Sequence, residues 1–320
     1  MLSQYPGLMR NLRGLAKASL PSSVRRKAVG LAKRLRMRRV TTWEGLEEEL
    51  AGVQRAFEQG EAAGRAAFDS FYFDPPRSLP ADPSSGEYAA AQMELYRRIS
   101  GREYSLANEA SPFDLEAAKR SPFPYQTGLP EVIGEQLIAQ GFLIQTMGLP
   151  PGSTVLEFGP GPGNTTLQFL QSGYRVTAVE IDEKFVEVIR HRCDGKGELT
   201  LVHSDMLSFR SPDTFDAVVF FECFHHCADH VQLLRNVRGL LKPGGQLVLA
   251  SEPIADFPDP WGVRLDGGSL WSMRRYGWLE LGFDTEYLFS HLRREGWNVT
   301  RRREPILGTI ADVVIARPLG

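Results

Sequence analysis

Cysteine is scarce in this chain, with Cys193, Cys223 and Cys227 the only three in 320 residues. Three thiols cannot all pair, which excludes a complete disulfide framework, so a reducing compartment, the cytoplasm, is expected. Long hydrophobic runs are missing too, and no stretch suffices to cross a bilayer. The N-terminal apolar stretches are broken by arginine and lysine and form no signal-peptide pattern. The net charge is only −2. No basic–aromatic interleaving runs through the chain, so a nucleic-acid partner is not expected. What remains is the composition of an ordinary globular protein, enough for one large domain or two small ones.

Acid is absent locally as well. Residues 1–40 hold eleven Arg or Lys and no Asp or Glu. In "SSVRRKAVGLAKRLRMRRV", Val24, Ala28, Leu31 and Leu35 share one helical face among cations, and Ser22 or Ser23 can cap the helix. Such an arm, over residues 10–39, suits an anionic membrane surface or an acidic partner. A solvated tail or a transit peptide shares this composition, and the alternatives stay open. Residues 41–127 read as a helical extension or lid: an acidic helix starting near Thr42, a Pro/Ser-rich loop from Asp74 to Gly86, a second helix, then turns rich in proline.

The texture changes in the segment 128–320. A long helix over Glu131–Met147 precedes short β-rich runs at 154–158, 175–181, 200–204, 217–221 and 246–251. Helical segments near 164–172, 183–192 and 228–241 separate them. Strands alternating with helices of about ten residues imply βαβ units and an α/β, doubly wound sheet. Ligands in such sheets bind at the carboxyl ends of the strands.

The first strand runs into "LEFGPGPGN", with Gly159, Gly161 and Gly163 at the mouth of a helix. Glycine there permits positive φ and lets a ligand approach the backbone. Glu180, 23 residues after Glu157, closes the next strand, where an acid can accept from ribose hydroxyls. A dinucleotide fingerprint would need its third glycine at position 164, where Asn164 stands.

These motifs, with "VTAVEID", "HSDML", "FDAVVFFECFHHCADH" and "LLKPGGQLVLAS", resemble the class I S-adenosylmethionine-dependent methyltransferases over about residues 129–316. The resemblance implies a Rossmann-like sheet of about seven strands, closed by the hairpin "NVTRRREP…TIADVVIARP". It implies S-adenosylmethionine as cofactor, with its methionine part over Gly159–Gly163 near Glu157, its ribose on Glu180 beside Ile181, and its adenine by Asp205 and Met206. Residues 253–283, between the fifth strand and the hairpin, form a long insertion with Trp261, Trp271, Tyr276 and Trp278 among Arg264, Asp266, Arg274 and Arg275. Such a mixture suits a substrate-facing cover over a sugar or another ring, although any one tryptophan can simply pack the insertion onto the sheet.

The run "ECFHHCADH" follows the fourth strand, beside the transferred methyl in this fold. A hydroxyl acceptor needs a base, so Glu222, His225 and His226 are the candidate catalytic residues. His226 with Asp229 reproduces a spacing common in the family, with Asp229 as a helix cap. A metal reading would use His226 and His230 at i,i+4 with Cys227 or Glu222, but lacks further ligands in sequence, and no metal is expected. The expected activity is O-methylation of a small-molecule or glycan hydroxyl. N- or C-methylation of a natural product or lipid, or a cofactor-binding module without turnover, are the alternatives.

Overall fold

The computed structural model of the protein describes residues 37–110, 112–121, 127–304 and 311–319. The basic amphipathic arm expected over residues 10–39 lies outside them as far as residue 36; its end is corrected, because Arg38–Val40 form a strand, with Arg38 paired to Glu49 and Arg39 to Asp74. The chain divides into two compact units, one of residues up to Arg77 with Leu265–Gly268, the other of Ser78–Arg264 and Ser269–Gly320.

In the first unit, β1 (Arg38–Val40) pairs in parallel with β2 (Phe71–Phe73), and α1 (Trp43–Gln59) and α2 (Glu61–Phe68) lie between them in sequence. Thr42 caps α1 by accepting from the Gly45 N–H. Phe73 donates its N–H to the Leu265 carbonyl at 2.8 Å, tying residues 265–268 to this unit.

The second unit begins with α3 (Gly86–Ser100), α4 (Leu115–Arg120) and α5 (Pro130–Met147). It continues through β3 (Thr154–Phe158), α6 (Asn164–Gln171), β4 (Arg175–Glu180), α7 (Glu183–Cys193) and β5 (Leu199–His203). Then come β6 (Phe215–Phe221), α8 (His230–Arg238) and β7 (Leu241–Ala250). The seven-stranded sheet is completed by β11 (Trp297–Arg303) and β12 (Asp312–Pro318), in the order β11-β12-β7-β6-β3-β4-β5. Five strands run parallel, and β12 pairs antiparallel with both β7 and β11. The Rossmann-like sheet expected from the sequence is the one observed. Its central strands read as apolar runs because helices cover both faces, and "FDAVVFF" in β6 is buried at six of seven positions. Leu143 and Met147 of α5 pack with Val155, Phe169, Ala217 and Val248 in the core.

β7 is longer than the expected strand over 246–251. Phe215 faces Leu241 and Ala217 faces Gln246, so the strand carries a bulge between those pairs. "KPGG" occupies that bulge; Pro243 has no N–H for the ladder, and Gly244 takes φ +81°. The insertion forms β8 (Ile254–Ala255), β9 (Trp261–Val263), α9 (Gly267–Arg275) and β10 (Leu281–Asp284), with β10 between β8 and β9 in a small sheet. Helix α10 (Thr285–Arg294) leads back to β11. The strand order reverses between β3 and β6, where such folds open a crevice at the carboxyl ends.

Candidate active site

The loop after β3 holds Gly159, Gly161 and Gly163 at φ +57°, +53° and +80°, a region that L side chains rarely adopt. Two of these glycines are also packed from outside. A Cβ on Gly159 would stand 2.8 Å from Cys223 Cβ, and one on Gly163 would stand 2.9 Å from Ile189 Cγ1. A Cβ on Gly161 meets nothing within 4 Å. The middle of the loop therefore presents bare backbone to open space while its ends are clamped.

Glu180 ends β4 and collects the N–H groups of Gly161 at 2.9 Å, Ile181 at 2.8 Å and Asp182 at 3.0 Å. A carboxylate has about four lone-pair positions, so capacity remains for a ribose hydroxyl. Burial pushes the carboxyl up to about 7, against these three N–H groups. His203, which the sequence did not single out, donates from Nε2 to the Ile181 carbonyl at 2.9 Å and steadies the same turn. Glu157 is spent inward: both Thr165 and Thr166 donate their hydroxyls to it, which fastens the first turn of α6. Burial raises its carboxyl to about 7 as well. Asp205 accepts from the N–H groups of Leu207 and Ser208 at 2.9 and 2.8 Å, and Met206 sits half-buried within that turn.

Several buried polar atoms on the helices flanking the loop have no hydrogen-bond partner: Gln136 Oε1, both amide atoms of Gln140, and Asn164 Nδ2. Gln136 and Gln140 stand one turn apart on α5, and Gln136 donates from Nε2 to Glu222 at 3.0 Å. Buried amides without partners are costly and suit a polar ligand. The open backbone of Gly161 and the acid at Glu180 fit the amino-acid and ribose ends of S-adenosylmethionine.

The exit of β6 is built more tightly than its sequence suggested. Glu222 takes φ +53°, a strained position for a residue with a side chain. Cys223, Phe224 and His225 turn their N–H groups onto the carboxylate of Glu252 at 2.8, 2.9 and 3.3 Å. His225 adds a fourth bond from Nδ1 to the same carboxylate at 2.7 Å. Glu252, two residues past β7, thus fixes both the turn and the imidazole, and the sequence did not single it out. The signal was available, since an acid just past a strand end is the feature that marked Glu180. Nε2 of His225 lies 3.6 Å from Glu280 Oε2, and that carboxylate meets Arg264 Nη1 at 3.5 Å.

His226 donates from Nδ1 to the Leu279 carbonyl at 2.7 Å, with Glu109 Oε2 at 3.4 Å. Burial, with His225 beside it, drops the His226 pKa to about 4, so the ring is neutral at pH 7. Burial raises Glu222, Glu252 and Glu109 to about 7, with neighbouring carboxylates adding to the effect at Glu222 and Glu109.

Farther along this run, Asp229 caps α8 by accepting from the Gln232 N–H at 3.0 Å, as expected. His226 and His230, by contrast, do not share a helical face. His226 lies in a 3₁₀ turn, whereas His230 opens α8 and sits among Phe224, Trp261 and Phe283, with Nε2 at 3.1 Å from the Tyr287 hydroxyl. The i,i+4 metal pair is therefore corrected, because the helix starts four residues too late. In the insertion, Trp261 and Trp271 are buried packing residues, and Trp261 donates to the Pro83 carbonyl. Trp278 is partly exposed, stacked on Tyr276 at 4.6 Å and 6.3 Å from the His226 ring.

Comparison with known proteins agrees with this geometry. Residues 156–249 match a family model described as a methyltransferase domain. A ribosomal RNA small subunit methyltransferase A from Dehalococcoides mccartyi is 26% identical over 162 residues, covering 48% of this chain and 56% of that protein. An uncharacterized methyltransferase from a Geobacillus species is 32% identical over 117 residues, covering 36% and 54%. The chain thus spans about half the length of these curated relatives. Among solved structures, a glycopeptide N-methyltransferase is 21% identical with a TM-score of 0.45, over 58% of this chain and 90% of that one. Residues 156–249 thus match a methyltransferase domain, and the clamped glycine loop and the acid closing β4 lie within the matched segment.

Proposed function

We propose that this protein methylates a hydroxyl of a sugar, a glycan or another small molecule, with Glu222 taking the hydroxyl proton and His225 holding the oxygen. When bound, S-adenosylmethionine supplies an electrophilic methyl group. The Gly159–Gly163 loop, Gln136, Gln140 and Glu180 hold that cofactor, with Asp205 and Met206 at its adenine. The reading is carried by the adjacency of two strand ends: β3 delivers the glycine loop and β6 delivers Glu222 and His225 beside it, with Cys223 touching Gly159.

A hydroxyl is a weak nucleophile until its proton leaves. Glu222 is raised to about 7, near the pH at which a base works best, and it is partly exposed, so an acceptor can reach it. His225, held at Nδ1 by Glu252, turns Nε2 towards Glu280 at 3.6 Å. The Tyr276–Trp278 stack beside His226 suits a sugar, whose ring faces pack well on aromatic rings. Residues 104–109 close on the same place: Tyr104 donates to the His226 carbonyl at 3.3 Å, and Glu109 accepts from the Leu279 N–H at 3.0 Å. This supports a lid role for that part of the helical extension.

The test is methyl transfer from radiolabelled cofactor to fractionated glycan and small-molecule extracts. Glu222→Gln should lose about 100- to 10,000-fold in rate while binding S-adenosylhomocysteine as before. A variant that transfers methyl at the wild-type rate would remove Glu222 from the chemistry. The basic arm, residues 10–36, is proposed to attach this cytoplasmic enzyme peripherally to an anionic membrane surface.

A further inference from the structure

We propose that His225, His226 and Glu280 bind one divalent transition-metal ion of the zinc type, which takes the acceptor oxygen as a further ligand. The last clause rests on the hydroxyl-methylating reading above; the ion site itself rests on the geometry alone.

One ligand atom from each of the three residues lies within 4.8 Å of the other two. His225 Nε2 and Glu280 Oε2 are 3.6 Å apart. Ligands held about 2.0–2.2 Å from a tetrahedral zinc stand roughly 3.3–3.6 Å from each other, so this edge needs little adjustment. Two histidines and one glutamate with an open position form a ligand set that zinc uses in catalysis.

The nitrogen chemistry points the same way. The Leu279 carbonyl can only accept, so His226 Nδ1 carries a proton and Nε2 is the nitrogen open to an ion. Glu252 already accepts three backbone N–H groups, so it accepts again from His225 Nδ1, which leaves Nε2, facing Glu280, as the nitrogen that can ligate an ion. A cation between Nε2 and the Glu280 carboxylate, 3.6 Å apart, would be ligated by both. Each imidazole is thus oriented through its other nitrogen, one by a carboxylate and one by a backbone carbonyl. This is the outer-shell arrangement that metal-bound histidines show.

Charge balance adds a third argument. Glu109 approaches His226 at 3.4 Å, while Arg264 meets Glu280 at 3.5 Å. Three buried or partly buried carboxylates, Glu109, Glu252 and Glu280, face the two rings, and a divalent cation offsets their charge. Glu222 is outside the ligand set. An ion at the site would bind the acceptor oxygen and lower its pKa. The O–H bond then breaks, the proton passes to the Glu222 carboxylate, and the oxygen keeps the electron pair.

The experiment uses the full chain, treated with chelator, dialysed and titrated with Co²⁺, while calorimetry with S-adenosylhomocysteine is run on the same samples. The expected result is one equivalent of Co²⁺ with the visible absorption of a four- or five-coordinate ion, displaced by Zn²⁺. His226→Ala and Glu280→Gln should each weaken Co²⁺ binding at least tenfold, and Glu252→Gln by about 10- to 100-fold, with S-adenosylhomocysteine binding kept as evidence of folding. Wild-type protein that binds S-adenosylhomocysteine but shows no Co²⁺ absorption, or Co²⁺ binding unchanged in these folded variants, overturns the metal site and leaves the methyltransferase reading standing. Co²⁺ binding that depends on these residues, in protein that binds no S-adenosylhomocysteine, supports the site and overturns the methyltransferase reading instead.

Discussion

Three glycines in one loop do two different jobs, and substitution separates them. Alanine at Gly163 must hold φ +80° and place a Cβ 2.9 Å from Ile189 Cγ1, so strain and overlap add. Alanine at Gly161 bears only the left-handed strain, about 1–2 kcal/mol, since its Cβ meets nothing. Thermal melts should therefore show Gly163→Ala as the less stable variant. Calorimetry should show that Gly161→Ala loses cofactor affinity, because its methyl group projects where the ligand must lie. A Gly161→Ala protein that binds S-adenosylhomocysteine as tightly as wild type would contradict the cradle. Residues such as Glu157, Glu180 and the glycines were legible because their meaning lies in local spacing along a strand, loop and helix. Glu252 carried the same local signal as Glu180, an acid just past a strand end, but Glu109 and Glu280 did not, because each reaches the histidines from a distant stretch of chain that only folding brings near.

At the scale of elements, the alternation of apolar runs with amphipathic helices made the five parallel strands readable to within a few residues. α5, expected from Glu131 to Met147, runs from Pro130 to Met147. The failures have local causes. α8 begins at His230 rather than near 228, because Asp229 supplies the cap and the preceding residues are drawn onto Glu252 and Leu279. β7 extends back through "KPGG" because its neighbour accommodates a bulge, which periodicity does not reveal. The basic arm is an element known from sequence alone, and its proposed role has a simple check. Co-sedimentation with vesicles containing anionic lipid should fall sharply, and become insensitive to salt, when residues 1–36 are deleted. Equal sedimentation of the two proteins would contradict the membrane role.

At the scale of the whole molecule, the second unit carries an unusual load of buried acid. Glu157 and Glu180 are raised from 4.5 to about 7 by burial. A carboxyl raised on folding contributes stability that is fully present below its unfolded value and is lost as pH rises through 7. His226 and His230, lowered to about 4 and about 3, act oppositely, chiefly below their unfolded value of 6.5. Between pH 6.5 and 8 the carboxyls outweigh them and decide the sign. Cofactor-free protein should lose about 1 kcal/mol per raised carboxyl across that window, read as a falling melting temperature, and Glu157→Gln should flatten the slope. The central claim is that the glycine loop and Glu180 hold S-adenosylmethionine. Titration calorimetry with S-adenosylhomocysteine tests it most directly. The wild-type protein should bind one equivalent, and Glu180→Gln, still folded by circular dichroism, should bind at least about tenfold more weakly for the loss of a charged acceptor. Wild-type protein that binds no S-adenosylhomocysteine, or a Glu180→Gln variant that binds it equally well, would contradict the account.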